Sequence, residues 1–304
     1  MASDIEKSSN WTSKFEIWSC LGRLKIETPQ INYNETKKSL LSNFDEVEIL
    51  PNISSQPNKP TSSTFSFEKL HVKKQLRNNF ALVNLKGNKD CKYSLTDEQI
   101  EIFSIISSYC DLYHANITYK KYDLIMPLYC LHAVNHILQT RHRILHHNNK
   151  ININKSKKEH NYRDQGYTRP KVLILLPFRH SAFKVINLIA EILFSKKKDC
   201  IQKLKKFIKE FGPEEEKGYK DKPEDFKETF KGDISEDFQI GMTLTKNSLK
   251  LYTDFYQSDI IVASPLRLRM TIENDGEATG DSAFLSSLEV LILDQVCSPN
   301  FLLY

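Results

Sequence analysis

Arg179 and Arg267 have the type and the setting for phosphate chemistry in this 304-residue chain. Each follows an apolar run that reads as a buried strand. The first is Val172 to Leu176, closed by Pro177 and leading into Phe178-Arg179. The second is Asp259 to Ala263, leading into Ser264-Pro265-Leu266-Arg267. A third run, Glu289 to Leu293, ends on Asp294-Gln295. In a parallel sheet all three carboxyl ends lie on one rim, which is where ligands of open α/β sheets bind. Two guanidinium groups beside two helix N-termini suit phosphates. Asp294 is of a type that holds Mg²⁺, whereas Gln295 cannot accept a proton from attacking water as a glutamate can. Composition alone favours a plainer account, in which the arginines are solvated surface residues and the prolines end strands.

A phosphate-cradling loop needs glycines that let backbone N–H groups crowd a triphosphate, followed by Lys and Ser or Thr. No glycine occurs between Gly87 and Gly166. Lys120-Lys121 precede a helical pattern near Leu124, but without such a loop they cannot build that cradle. Both halves of ATP hydrolysis are therefore missing from the pattern, and no cofactor is expected. His132 and His136 are four apart, as in a metalloprotease pair. The base position between them holds Ala133, and no third ligand presents itself, so a structural or surface role is expected and no metal site. Lys196 to Lys198, Lys203, Lys205, Lys206 and Lys209 make one basic helix. A solvated face is its default reading, and RNA contact or a nuclear import signal the sharper one.

The elements that must position these residues follow from periodicity. After the 172–176 strand, Ser181 is placed to cap a helix. Ala182, Val185, Ile186, Ile189, Ile192 and Leu193 form its apolar face. Upstream, a short helical pattern runs within 65–89. A helix opens after Thr96, with Gln99 completing a capping box, and extends toward Leu112. Another runs from about Leu124 to Leu145. Residues 146–166 read as a solvated loop. From Lys196 to Phe211 a basic helix turns Ile201, Leu204, Ile208 and Phe211 inward, and 212–237 reads as an exposed insertion. Residues 1–64 read as a polar, largely disordered lead-in and linker. The predicted fold is α/β, a parallel sheet in 65–295 with helices on both faces.

The totals allow this. Lys and Arg number 43 against 38 Asp and Glu, a net charge of +5, which fits an anionic partner without demanding one. Apolar residues make up 40% of the chain, enough for a sizeable core. No run of eighteen apolar residues suggests a membrane span, and the N-terminus lacks an apolar signal core. Six scattered cysteines without C-x-x-C argue for free thiols in a reducing compartment.

LILLPFRHSA looks like the first RNA-contacting motif of DEAD-box helicases, DIIVASPLRL resembles their second, and VLILDQ their Walker B strand. Several blocks are more closely similar to the digestive organ expansion factor family, also called U3 small nucleolar RNA-associated protein 25. They are YCLHAVNHIL, RDQGYTRPKVLILLPFR, FQIGMTLTKNSLKLYTDFYQSDIIVASPLRLRM and FLSSLEVLILDQ. The resemblance covers about Leu95 to Gln295.

It implies a RecA-like, P-loop NTPase-type domain that has lost catalysis. It also implies a nuclear, nucleolar role in the small-subunit processome, as a scaffold needed for pre-18S rRNA processing. The implied partners are U3 snoRNA, pre-rRNA and processome proteins, with no membrane and no small-molecule substrate. Pro177 and Arg179 match the first RNA motif, and Ser264, Pro265 and Arg267 the second, although Arg267 falls where the family usually has glycine. Asp294 and Gln295 match a degenerate Walker B. Residues 296–304 resemble nothing in the family. That leads to the expectation of a truncated product or an imperfect gene model, and of a sheet incomplete at its C-terminus with an open apolar edge. Such a chain would be poorly soluble and would bind RNA weakly. Two other readings stand beside the scaffold: a diverged ATP-dependent RNA helicase, and a protein-only interaction module.

Overall fold

The computed structural model describes residues 37–40, 46–50, 65–87, 95–114, 117–153, 167–195, 197–213, 222–245, 247–273 and 282–295. The chain falls into two compact units, one of Met1–Val72 with Thr96–Ile117 and one of Lys73–Leu95 with Thr118–Tyr304. The 296–304 tail lies outside the described residues.

The first unit holds strands β1 (Lys37–Leu40), β2 (Glu46–Leu50) and β3 (Asp111–Tyr113) in an antiparallel sheet of that order. Thus 37–50 contributes two strands, where the sequence reading has lead-in throughout. A helix separates β2 from β3 in sequence. It spans Asp97–Ser107, and Thr96 and Gln99 form the expected capping box. It stops short of Leu112 because Tyr109 turns left-handed, at φ 54°, and the chain leaves as β3. Phe67 packs edge-on against Phe103 of this helix, at 5.8 Å.

The second unit carries the main sheet. Its helices, with that of the first unit counted in chain order as α2, are α1 (Lys74–Gly87), α3 (Tyr119–Ile153), α4 (Arg179–Phe194), α5 (Leu204–Phe211), α6 (Glu224–Thr229) and α7 (Pro265–Glu273). Its strands are β4 (Val172–Leu175), β5 (Ile201–Gln202), β6 (Gln239–Leu244), β7 (Leu249–Leu251), β8 (Ile260–Ala263) and β9 (Val290–Leu293). They lie in the order β5-β7-β6-β8-β4-β9. β8, β4 and β9 are mutually parallel, and β7 and β5 are parallel to each other. The sheet is mostly parallel, as expected, but β6 runs against both of its neighbours. The cause is local. Leu244 pairs with Leu249, a connection too short for any crossover, and antiparallel strands are what such a hairpin joins. Thr245 closes the turn, its N–H donating to the Ser248 carbonyl at 2.8 Å.

In a parallel register, partner residues share a face. Leu173, Ile261 and Ala263 build one cluster with Leu268 of α7 and with Phe284, which lies in the 3-10 turn Ala283–Ser287. Leu291 and Leu293 continue that face onto the end strand β9 and are 57% and 47% exposed. Val172, Ile174, Ile260 and Val262 on the other face are fully buried. α3 is buried on every side from Met126 to Ile137, as a helix in the middle of a core must be. It packs on α1 and α4.

Four further boundaries differ from the sequence reading. His71 turns left-handed, at φ 53°, so helix α1 begins only at Lys74. α3 continues to Ile153 through residues read as loop, its His and Lys side chains forming a solvated helical end. The insertion holds α6 and a buried Asp233, 9% exposed. The basic stretch breaks at Lys198–Cys200 and β5 before α5 begins. Phe207 and Phe211 face inward there, while Ile208 is 47% exposed. Phe207 stacks on Phe183 and Phe211 meets Phe238; two aromatic anchors one turn apart set the buried face of this helix.

Candidate functional site

The carboxyl ends of β4, β8 and β9 share one rim, since Leu175 pairs with both Ala263 and Leu293. The antiparallel β6 begins at that rim, with Gln239 opposite Ala263. Pro177 is buried behind it. Arg179 opens α4, two residues ahead of the expected start at Ser181, with Phe178 in the cap position and no side-chain cap. The chain supplies the cap from afar. Arg179 N–H donates to the Ser235 carbonyl and His180 N–H to the Asp233 carbonyl, each at 2.9 Å. Those two amides are thus used internally. The Arg179 guanidinium donates to Asp233 Oδ2 at 3.1 Å and to the Asp237 carbonyl at 2.7 Å, and it also lies 5.7 Å over the Phe211 ring.

Ser264 and Pro265 do what their types suit. The buried Ser264 hydroxyl accepts the Arg267 N–H at 3.0 Å, and Pro265 takes the first helical position of α7, where no N–H is needed. Arg267 reaches Asp237 at 3.6 Å and stays 38% exposed. Arg179 and Arg267 share an open mouth of about 580 Å³ with Lys209, Glu210, Asp237 and Gln239. The rim therefore collects Pro177, Arg179, Ser264, Pro265 and Arg267, as the spacing requires, and matches its cations with acids.

Asp294 lies apart from that mouth in chemistry. Its Oδ2 accepts the hydroxyls of two α3 tyrosines, Tyr122 and, at 2.5 Å, Tyr129. Burial pushes the carboxyl up to about 6, against the opposing pull of the Tyr122 and Tyr129 hydroxyls and the Gln295 backbone. Burial, and after it the same carboxylate, raise both phenols and the fully buried Cys130 thiol well above their ordinary values. Gln295 adopts φ 59° and accepts the Ser181 hydroxyl at 3.4 Å. Asp294 Oδ2 is thus occupied by two phenols. The sequence reading missed both tyrosines. Their spacing of seven, two turns of one helix, is the signal that could have paired them.

The amino rim is held differently. His136 of α3 meets Glu289 Oε2 at 2.8 Å, and Lys171 meets Glu289 Oε1 at 2.9 Å. Burial works to raise Glu289, but His136 and Lys171 together hold it below the ordinary carboxylate value. Arg169 forks onto both oxygens of Asp259, which also accepts the Leu244 N–H. His132 is buried, and desolvation plus neighbouring His136 lower it to about 3, keeping it neutral. Among the described residues no group of three or more His, Cys, Asp or Glu is placed to hold a metal ion. No helix among them is long and apolar enough to cross a membrane.

Comparison with known proteins places this geometry. Residues 109–298 match the profile described as UTP25, NTP hydrolase-like domain. The chain is 41% identical over 236 residues to the mouse U3 small nucleolar RNA-associated protein 25 homolog, covering 74% of this chain and 31% of that one. The Schizosaccharomyces pombe protein of the same name is 44% identical over 201 residues, 66% of this chain and 30% of its own. The Xenopus tropicalis homolog is 38% identical over 276 residues, 88% and 36%. This chain thus spans about a third of the length of these relatives. No solved structure matches it. The chain belongs to the UTP25 family, through its NTP hydrolase-like domain.

Proposed function

We propose that this chain is the RecA-like half of a non-catalytic ribosome-biogenesis factor. In this reading it acts in the nucleolus as a scaffold of the small-subunit processome. It contacts U3 snoRNA, pre-rRNA and neighbouring proteins and is needed for pre-18S rRNA processing. The relatives' name, U3 small nucleolar RNA-associated protein 25, supports the setting.

The observation that carries the loss of catalysis is the bonding of Asp294 to Tyr122 and Tyr129. A working site of this kind needs the carboxylate free for a hydrated Mg²⁺, a glycine-rich cradle for the phosphates and a group to orient water. Here two phenols hold the carboxylate, no glycine occurs between Gly87 and Gly166, and Gln295 is turned toward Ser181. The rim residues Pro177, Arg179, Ser264, Pro265 and Arg267 shape the RNA-facing surface in this reading, with Arg267 half-exposed.

Titration of the full-length mouse relative with a fluorescent ATP analogue and Mg²⁺ tests it, alongside phosphate release with and without RNA. Neither saturable binding nor RNA-stimulated release is expected. Saturable, Mg²⁺-dependent binding with turnover would restore the diverged-helicase reading.

A further inference from the structure

We infer that the exposed lysine face of α5, Lys205 with Lys209, grips the phosphodiester backbone of single-stranded RNA more strongly than the rim arginines do and without reading its bases. This rests on the reading above only in assuming that the chain meets RNA at all.

The argument starts from which cations are already used. Arg179 spends its charge on Asp233 and on the Asp237 carbonyl. Arg267 is drawn to Asp237. On α5, Lys206 pairs with Glu210 at 3.5 Å and lies 4.3 Å over the Tyr252 ring. Glu210 also accepts the Tyr252 hydroxyl at 2.7 Å. So the acid of this helix is taken up by Lys206 and Tyr252. Lys203 donates to the Tyr252 carbonyl. That leaves Lys205 and Lys209, both exposed and both without an ion pair or hydrogen bond among the described residues. They are four residues apart, so they stand one above the other on a single helix face.

Position gives them a target. Lys209 lines the same mouth as Arg179 and Arg267, so the lysine pair leads into the carboxyl rim. Exposed Lys250 of β7 stands opposite Gln202 of β5, just ahead of α5. Phe207 and Phe211 pin the underside of α5 into the core, which makes it a firm platform. A lysine ammonium is a hydrated point charge on a flexible stem. It suits phosphate as a point charge and lacks the planar fork of arginine. Lysine is also depleted from protein–protein interfaces, which favours nucleic acid over an acidic protein.

The test is fluorescence anisotropy of a labelled 20-nucleotide oligouridine with the whole chain, from 50 to 200 mM NaCl. Comparison variants are K205Q/K209Q, R267Q and, as a distant control, K150Q. Each phosphate contact on a single strand contributes about 0.7 to the slope of log affinity against log salt. The double variant should lose about 1.4 from that slope and bind roughly tenfold more weakly at 100 mM, with R267Q losing less than the double variant and K150Q close to the parent. An unchanged slope and affinity in K205Q/K209Q overturns the inference and leaves RNA contact elsewhere standing. No binding by the parent overturns both. Tighter binding of an acidic peptide than of oligouridine also overturns it. Should the double variant fold poorly, amine-reactive labelling of the unsubstituted chain decides. RNA must shield Lys205 and Lys209 relative to Lys150, and equal labelling sinks the idea.

Discussion

At the amino rim of the main sheet, Lys171 is 6% exposed and His136 3%, and both close on Glu289 within 2.9 Å. At the carboxyl rim, Arg267 is 38% exposed and its nearest acid stands 3.6 Å away. The same sheet thus carries charges of two kinds. The first kind is buried and fully paired, and it ties α3, β4 and β9 together. The second is half in water and loosely paired. At the amino ends Lys171 and Glu289 sit beneath α3, while at the carboxyl ends Arg267 faces an open mouth. Burial and pairing, rather than residue type, separate a charge that holds the fold from one free to meet another molecule.

That contrast can be broken in order of expected effect. Replacing Glu289 by Ala leaves Lys171 buried and His136 without its acid. Removing one partner of a buried pair costs about 3–5 kcal/mol, so the urea midpoint should fall steeply; a shift worth under 1 kcal/mol would erase the distinction between rims. Asp294→Asn should act in the opposite direction. The folded carboxyl lies near 6 against an ordinary value of 3.8. The charged form therefore costs stability above pH 6, and that cost disappears as pH falls below about 4. The variant should gain about 2 kcal/mol at pH 8 and almost nothing at pH 4, read as unfolding curves at the two pH values. Arg179→Ala removes the guanidinium bonds to Asp233 and Asp237 but keeps the two backbone bonds that join α4 to this segment. It leaves Asp233 partly buried, and a loss of about 1–2 kcal/mol is expected in thermal melts. Arg267→Ala, a half-exposed pair, should change stability by less than about 1 kcal/mol.

Much of the sheet could be read in advance because its signals are local. The apolar run at Val172 and the 3.6-residue spacing from Ala182 to Leu193 specify β4 and α4 without outside help. The rim followed from three strand ends. What was not legible depended on partners distant in sequence. Arg179 rather than Ser181 opens α4 because Asp233 and Ser235 lend their carbonyls from over fifty residues away. Asp233 itself sat in a stretch whose composition reads as solvent-exposed, and nothing in its neighbours announced a buried ion pair. The two phenols on Asp294 are 172 and 165 residues from it. The reversed β6 was the exception, since the short link from Leu244 to Leu249 was there to be read.

The tyrosine pair has one more consequence, for the chain's evolutionary options. A glutamate at position 295 would still leave Asp294 tethered to Tyr122 and Tyr129. Clearing either ring alone would open a hole at a buried site while the other ring kept its grip. Freeing the Asp294 carboxylate thus takes changes at both tyrosine positions of α3, not at one.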